Sequence, residues 1–561
     1  MKVLVLGGYG TFGERLCQLL ATDERITLIV AGRSLARAEA ACRGLPEGAA
    51  RQAVAIDRDG DLGAAIRLLR PDVLVDATGP YQAYGDNPYR VVEACLAHGV
   101  HYLDFADDAA FAAGIVALDA RARAAGRYAL AGVSSFPVLT SAVIRRLATG
   151  WKRVRTIEAG IAPSPYAYYG LNVIRAIAIY AGRKVALTRD GRACFGHALA
   201  ETRRYTIAPP GAVPVRRTLF SLVEVPDLAL IPPAYPGLES IWIGVGPVPE
   251  SLHRALTWLA RGVRWRLLPP LGWLAPLFHK VINTVRWGEH RGGMYVAITG
   301  EDANDAAAAR SWHLLAEGDS GPRIPCLAVE AVLRNHLAGH PPAPGARAAT
   351  DELELDDYAP AFARMGIVTG ERAEPPGGSI FQRVLGEAWD RVPAPVRAMH
   401  DTSPSLRSAG KATVTRGPGL PARIIATVVG FPKAGTDIPV EVTMQRDANG
   451  ETWRRTFAGK AFSSRMTAGT GRAYRLLVER FGPASFHLAL VPDGERLRMI
   501  VRGWSLLGVP MPRRWAPTGE SHEAARDGRF HFHIEIAHPW VGPIVAYEGW
   551  LEPQAGAART N

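Results

Sequence analysis

Residues 1–13 read MKVLVLGGYGTFG, and the fold of the amino-terminal part is decided there. Residues 3–6 are an apolar run too short for a helix and bounded by glycine, which reads as a buried parallel strand. Gly8, Gly10 and Gly13 then form G-x-G-x-x-G, followed by residues 14–21 with helical spacing. Strand, glycine turn and helix in this order form the context of a dinucleotide site. Gly8 is expected to permit the tight turn, Gly10 the approach of a pyrophosphate, and Gly13 close packing of helix on strand. The N–H groups that open the helix near Thr11 and Phe12 would face the phosphates.

Outward from this turn, strand and helix patterns alternate. Strands are expected at 26–31, 52–56, 73–77, 100–105 and 128–132, with helices at 34–43, 61–70 and 87–98 and one through Arg121. Such alternation predicts a doubly wound parallel sheet, whose ligands lie beyond the carboxyl ends of the strands. Those ends can be read for chemistry. The second strand closes on Ala31-Gly32-Arg33-Ser34, with no carboxylate to hold a free ribose hydroxyl. Arg33 and Ser34 suit a 2′-phosphate, which favours NADP over NAD, although a solvated arginine would look the same in sequence. Asp57 closes the third strand and could accept from the adenine amino group. Gly79 and Pro80, after the fourth, would turn the backbone beneath the nicotinamide ribose.

GGYGTFG at 7–13, AGRS at 31–34, ATGPY at 77–81, HYLDFADD at 101–108 and GVSSFP at 132–137 together resemble the saccharopine dehydrogenase-like oxidoreductases. The resemblance runs through most of residues 1–370. It implies NADP binding through Gly8, Gly10, Thr11, Phe12, Gly13, Arg33, Ser34 and Gly79. It transfers no substrate, because no saccharopine-type amino-acid site is matched here and the family includes lipid-associated and trans-acting enoyl reductase branches.

The expected organisation is a Rossmann-type α/β domain at 1–140, completed by about 322–370, with an inserted α+β substrate domain at 141–321. In the insert, strands are expected at 155–162, 294–300 and 311–316, with a turn at Gly318-Asp319. A helix at 324–337 opens on Pro325, a residue suited to a first turn. Tyr81 and Tyr84 are the named candidates for the catalytic acid. Asp104, Tyr166, Tyr168 and Tyr169 are further acid or positioning groups, and each tyrosine is equally explained as a packing aromatic. The Ser-x-x-x-Tyr-x-x-x-Lys pattern of short-chain dehydrogenases is not found. Residues 254–291 interleave Trp258, Trp265, Trp273 and Trp287 with Arg261, Arg264, Arg266, Lys280 and Arg286. The longest uncharged run there, 267–278, is too short to span a bilayer. Three readings stay open for this stretch: a membrane-surface contact, a lid over an apolar cleft, or a homodimer interface.

Residues 372–378 read as a linker and 379–390 as a helix. Beyond them, turn signals at Gly417-Pro-Gly, Asp447-Ala-Asn-Gly, Asp493-Gly and Asp527-Gly predict an antiparallel sheet or barrel over 378–553. This region resembles an uncharacterised domain family often appended to saccharopine dehydrogenase-like bacterial proteins. FHFHIEI at 530–536 alternates, placing Phe530, Phe532, Ile534 and Ile536 on one face and His531, His533 and Glu535 on the other. No separate fourth ligand accompanies the polar face, so no metal is assigned. Trp453, Trp504, Trp515, Trp540 and Trp550 suit either a core or the wall of an apolar cavity.

The net charge of +12 is carried by scattered arginines, with seven lysines and no basic run, which speaks against nucleic acid as a partner. Five separated cysteines without C-x-x-C spacing fit a reducing compartment. A first strand beginning at Met1 leaves no room for a signal peptide, so the expectation is a cytoplasmic protein that could touch a membrane surface. Three functions compete. The first is an NADP-dependent reductase acting on an unsaturated or carbonyl group of a hydrophobic, acyl-type substrate. The second is a non-catalytic NADP-binding protein whose carboxyl-terminal domain binds lipid or a partner. The third is an amino-acid (imine) dehydrogenase.

Overall fold

The computed structural model describes residues 1–554 apart from 169, 248, 286, 319, 375–377 and 401–403, and not the side chains of 172 and 176. Tyr169, Arg286, the turn residue Asp319 and the middle of the expected linker thus lie outside the described residues. The chain divides into two compact units. One comprises Met1–Tyr205 with Thr218–Val368; the other comprises Thr206–Arg217 with the chain from Thr369 onward.

The first unit is built on a seven-stranded parallel sheet. Its strands are β1 (Lys2–Leu6), β2 (Thr27–Gly32), β3 (Ala50–Ala55), β4 (Val73–Asp76), β5 (His101–Asp104) and β6 (Tyr128–Ala131), in the order β3-β2-β1-β4-β5-β6. A seventh strand, Gly345–Ala348, pairs parallel with β6. Val3, Leu4, Val5 and Leu6 are at most 1% exposed, because a central parallel strand is covered on both faces. Between β1 and β2 runs helix α1 (Thr11–Leu20), and after β2 comes helix α2 (Leu35–Arg43). Strand order reverses where β1 meets both β2 and β4, and the crevice of such a sheet opens there. The helix Ile324–Leu337 returns to this sheet, with Cys326 Sγ donating to the Phe12 carbonyl at 3.4 Å.

The second sheet of this unit is mixed. Thr202–Tyr205, Thr218–Leu222, Ser240–Val245, Trp151–Ala162, Arg291–Asp302 and Ala307–Glu317 lie side by side in that order. Ser240–Val245 runs parallel to Trp151–Ala162, and the other neighbours are antiparallel. The tryptophan-arginine stretch forms two helices, Glu250–Arg264 and Ala275–Thr284, joined by a turn. No helix among the described residues is long and apolar enough to cross a membrane.

The second unit is an antiparallel barrel of ten strands. They follow the sheet order from Ala484–Asp493 through Leu477–Phe481, Lys460–Ala468, Gly450–Phe457, Gly435–Asp447, Ser405–Arg416, Gly542–Pro553, Arg529–His538 and Ser521–Arg526 to Arg496–Leu506. Pairing of the first with the last closes the ring. Phe530 packs in the barrel core with Phe532, Ile534 and Ile536 beside it, as the alternation of that strand predicts. His533 on the other face pairs with Glu548 at 3.1 Å. The segment Thr206–Arg217 belongs to this unit: buried Arg372 donates to the Ala208 carbonyl at 2.7 Å and Arg391 to that of Pro210 at 3.0 Å.

Candidate functional site

The turn after β1 is shaped by four glycines rather than three. Gly7, not Gly8, carries the left-handed conformation, with φ at 81°, and a Cβ there would lie 2.8 Å from the Ala77 carbonyl oxygen. The role expected of Gly8 therefore belongs to its neighbour. Gly8 is needed for packing instead, since its Cβ would meet Val30 Cγ1 at 2.8 Å. Both N–H groups donate to the Ala31 carbonyl, at 2.8 and 2.9 Å, which pins the turn to the end of β2. Gly10 caps α1, and a Cβ on Gly13 would stand 2.2 Å from the Gly7 oxygen, so helix and turn touch backbone to backbone. Phe12 stacks on Phe105 with ring centroids 5.7 Å apart.

A cleft of about 550 Å³ opens from this turn across the ends of β1, β2, β3 and β4. Of the residues singled out from sequence, Gly10, Arg33, Ser34, Asp57, Gly79, Pro80 and Tyr84 line it. Gly8, Thr11, Phe12 and Gly13 stand behind the wall, in the turn and the first turn of α1. Ser34 caps α2, its Oγ accepting from the Arg37 N–H at 3.4 Å, and its own N–H donates to the Tyr9 hydroxyl at 2.9 Å. The Ser34 hydroxyl proton is left to donate elsewhere. Asp57 lies in the loop beyond β3 rather than within the strand, and accepts from the Asp59 N–H at 3.1 Å.

Among the lining residues not anticipated from sequence are Tyr9, Arg37, Arg58 and Asp59. Arg37, in the first turn of α2 and four residues after Arg33, lies 4.5 Å over the Tyr9 ring, so the spacing Arg33–Arg37 was the available signal. Arg58 sits over the Tyr84 ring at 3.2 Å and is 3.7 Å from Asp59. Its Nε and Nη2 are buried without a hydrogen-bond partner among the described residues. A buried guanidinium with unused donors is suited to an anionic or carbonyl-bearing ligand.

The two catalytic candidates separate. Tyr81 is buried, its hydroxyl donating to the Asp76 carbonyl at 2.7 Å and accepting from the Phe105 N–H at 3.0 Å. It ties β4 to β5 and does not line the cleft. Tyr84 does line it, with its hydroxyl 2.7 Å from Thr78 Oγ1 and 3.1 Å from Asp76 Oδ2. Burial, reinforced by Asp76, pushes the Tyr84 phenol well above its ordinary range, so it is a hydrogen-bond donor and a poor proton source. Asp76 is fully buried and raised by desolvation, against the bonds it accepts from Thr78. Asp104 is also buried, accepts from Ala106 and Gly132 N–H groups at 2.8 and 2.7 Å, and is pushed by burial up to about 7. Tyr166 stacks on His290 at 3.8 Å. The Tyr168 carbonyl accepts from Arg15 of α1 at 3.2 Å, and a Cβ on Gly170 would lie 2.6 Å from Thr11 Oγ1. The loop after Trp151–Ala162 thus passes directly over the start of α1.

The parallel sheet, its glycine turn and the cleft at the strand-order reversal give the first unit a Rossmann-type dinucleotide-binding fold, similar to that of saccharopine dehydrogenase. Residues 3–130 match the model of the saccharopine dehydrogenase NADP binding domain, and residues 392–551 match a domain of unknown function, DUF4166. Among solved structures, apo saccharopine dehydrogenase (L-Glu forming) from Saccharomyces cerevisiae is similar with a TM-score of 0.50 and 14% identity. The match covers 66% of this chain and 99% of that one. A mutant meso-dapdh from Clostridium tetani with DAP aligns at 11% identity over 65% of this chain and 98% of its own, with a TM-score of 0.32. A dehydrogenase from Thermus thermophilus in complex with NAD and UDP-GlcNAcA aligns at 12% identity over 61% of this chain and 90% of its own, with a TM-score of 0.29. A search of curated proteins returns no significant sequence match.

Proposed function

We propose that the chain is an NADP(H)-dependent oxidoreductase acting on an unsaturated or carbonyl group of a hydrophobic, acyl-type substrate. The observation that carries the cofactor assignment is the placement of Arg33, Arg37 and Arg58 along one cleft, with no carboxylate at the end of β2. Arg33 and the Ser34 hydroxyl would hold the ribose 2′-phosphate, assisted by Arg37 and by the start of α2. Gly7 and Gly10 keep the turn low enough for a pyrophosphate, and the Thr78-Gly79-Pro80 segment would carry the nicotinamide ribose. When bound, the dinucleotide supplies or receives the hydride. Tyr84 orients Thr78 at the wall of the cleft. An apolar substrate fits the lid reading of the exposed aromatic stretch, where Trp258, Trp265 and Trp273 are each more than half exposed.

The test is consumption of NADPH, followed by its absorbance, with 2-enoyl thioesters and aldehydes of rising chain length, and with keto acid–amine pairs for comparison. Turnover that grows with chain length supports the proposal. Turnover confined to the keto acid–amine pairs would move the activity to imine reduction, and none at all would contradict an enzymatic role in this class.

A further inference from the structure

The barrel of the second unit holds a cavity of about 760 Å³, partly open to solvent and formed wholly by residues between Ile425 and Leu551. Ten strands make a ring wider than their own inward side chains can fill, in contrast to the small eight-stranded barrels that such side chains close. The exposure of inward residues shows where filling stops. Leu497, Phe530 and Leu490 are packed as core, at 0%, 4% and 3% exposed. Further along the same faces Val501, Phe532, Ile534, Ile536 and Phe486 are only half-buried although they point into a closed ring. They line the cavity. Side chains facing a void of this size forgo their contacts, and an apolar space is poorly filled by water. Its volume lies in the range of pockets that take a single small molecule.

Polar groups interrupt the apolar wall: Ser463, Thr518, Ser521, Glu523 and Glu535 line it, with Glu523 held by His400 at 2.5 Å, and so does one arginine–glutamate pair. Arg455 and Glu479 are 3.1 Å apart, with Ser464 Oγ accepting from Arg455 at 2.8 Å and donating to Glu479 at 2.7 Å. The guanidinium also lies 5.0 Å over Trp453 and 5.7 Å over Phe462. The pair is neutral as a whole, so a free carboxylate brought beside it would have to displace Glu479 or stand against it. An alcohol or ester oxygen meets no such opposition. One side is bounded by the helix Leu420–Val428 and the turn after it, with Ile425 on the wall and the exposed Val428 and Val429, 81% and 43% exposed, at the rim. Leu420 and Ile424 face outward, at 69% and 55% exposed, and offer an apolar approach.

We propose that this barrel binds one long aliphatic chain bearing an uncharged polar end, a fatty alcohol or acyl ester, with that end against the Arg455–Glu479 pair. The proposal stands independently of the nucleotide site.

The experiment uses the full chain and the fluorescence of the neutral probe N-phenyl-1-naphthylamine, displaced by hexadecanol, octanol or hexadecanoic acid. Saturable probe binding is expected, with hexadecanol displacing it at least about tenfold more effectively than octanol or hexadecanoic acid. Val501→Trp and Ile536→Trp place bulk in the cavity and should each weaken hexadecanol by about tenfold or more while leaving NADPH binding unchanged. Leu507→Ser, on the exterior at 80% exposed, should change nothing. If one tryptophan variant loses its circular dichroism signal, the other carries that arm, and the chain-length comparison needs no variant. Absence of saturable binding, or tryptophan variants that bind as wild type does, would overturn the site. Preference for hexadecanoic acid would overturn the uncharged end.

Discussion

At the scale of residues, position in the fold decides which polar groups meet a ligand. Tyr81 and Tyr84 are three apart and look equivalent in sequence, yet one hydroxyl ties two strands together and the other stands on the cleft wall. The glycine pattern made the turn legible, but not that Gly7 rather than Gly8 takes the positive φ and faces the Ala77 carbonyl just after β4, a contact distant in sequence. Arg58 was hidden because its environment comes from Tyr84, distant in sequence. Asp104 gives a pH prediction. Its ordinary value is 3.8 and burial raises it to about 7, so within that window the folded chain keeps a proton that the unfolded chain has lost. Stability from this group is present below 3.8 and falls as pH rises to about 7. Asp104→Asn keeps an acceptor for Ala106 and Gly132 without the titration. Denaturation midpoints should therefore shift toward the variant as pH rises through the window; a constant difference would show that Asp104 ionises normally.

At the scale of elements, most strands of the parallel sheet were legible, its edge strand Ala50–Ala55 included, whereas the buried strands Thr218–Leu222 and Ser240–Val245 of the inserted region and two polar edge strands were not. The central strands and the helix Ile324–Leu337 follow from their apolar runs, and FHFHIEI at 530–536 from its alternation. Gly345–Ala348 reads Gly-Ala-Arg-Ala and Thr202–Tyr205 reads Thr-Arg-Arg-Tyr, neither with an apolar face, and both lie at sheet edges. The helices Glu250–Arg264 and Ala275–Thr284 and the connection between them leave Trp258, Trp265, Trp273 and Leu277 at 63%, 56%, 69% and 53% exposed, along with exposed Arg264 and Arg266. Tryptophan with arginine on one surface complements an anionic lipid headgroup region. The chain should sediment with phosphatidylserine-containing vesicles. A charge-reversed Arg264→Glu/Arg266→Glu variant should bind about tenfold or more weakly, since each basic side chain near such a surface contributes about 1 kcal/mol. Equal recovery of both proteins would leave the patch to a lid or an interface between copies.

At the scale of the whole molecule, composition and turn signals anticipated two kinds of architecture in one chain, but not that Thr206–Arg217 belongs to the barrel unit. No local pattern marks that excursion; it is held by Arg372 and Arg391 reaching its carbonyls. Arg372 is 5% exposed and also donates to the Val384 carbonyl at 3.1 Å. Arg372→Ala should lower the unfolding transition of the barrel unit by about 1.5–3 kcal/mol for each charged hydrogen bond lost. NADPH titration of the same variant should be unchanged, and an unaltered unfolding transition would show that the segment is held by other contacts. The proposal that the dinucleotide is NADPH rests on the recognition of one phosphate. The direct measurement is titration of wild type and Arg33→Ala with NADPH and with NADH. Wild type should prefer NADPH, and the variant should lose about ten- to a hundredfold of that affinity, the loss of one charge-assisted contact, with NADH little changed. Equal binding of both cofactors by wild type, or proportional loss of both in Arg33→Ala, would contradict it.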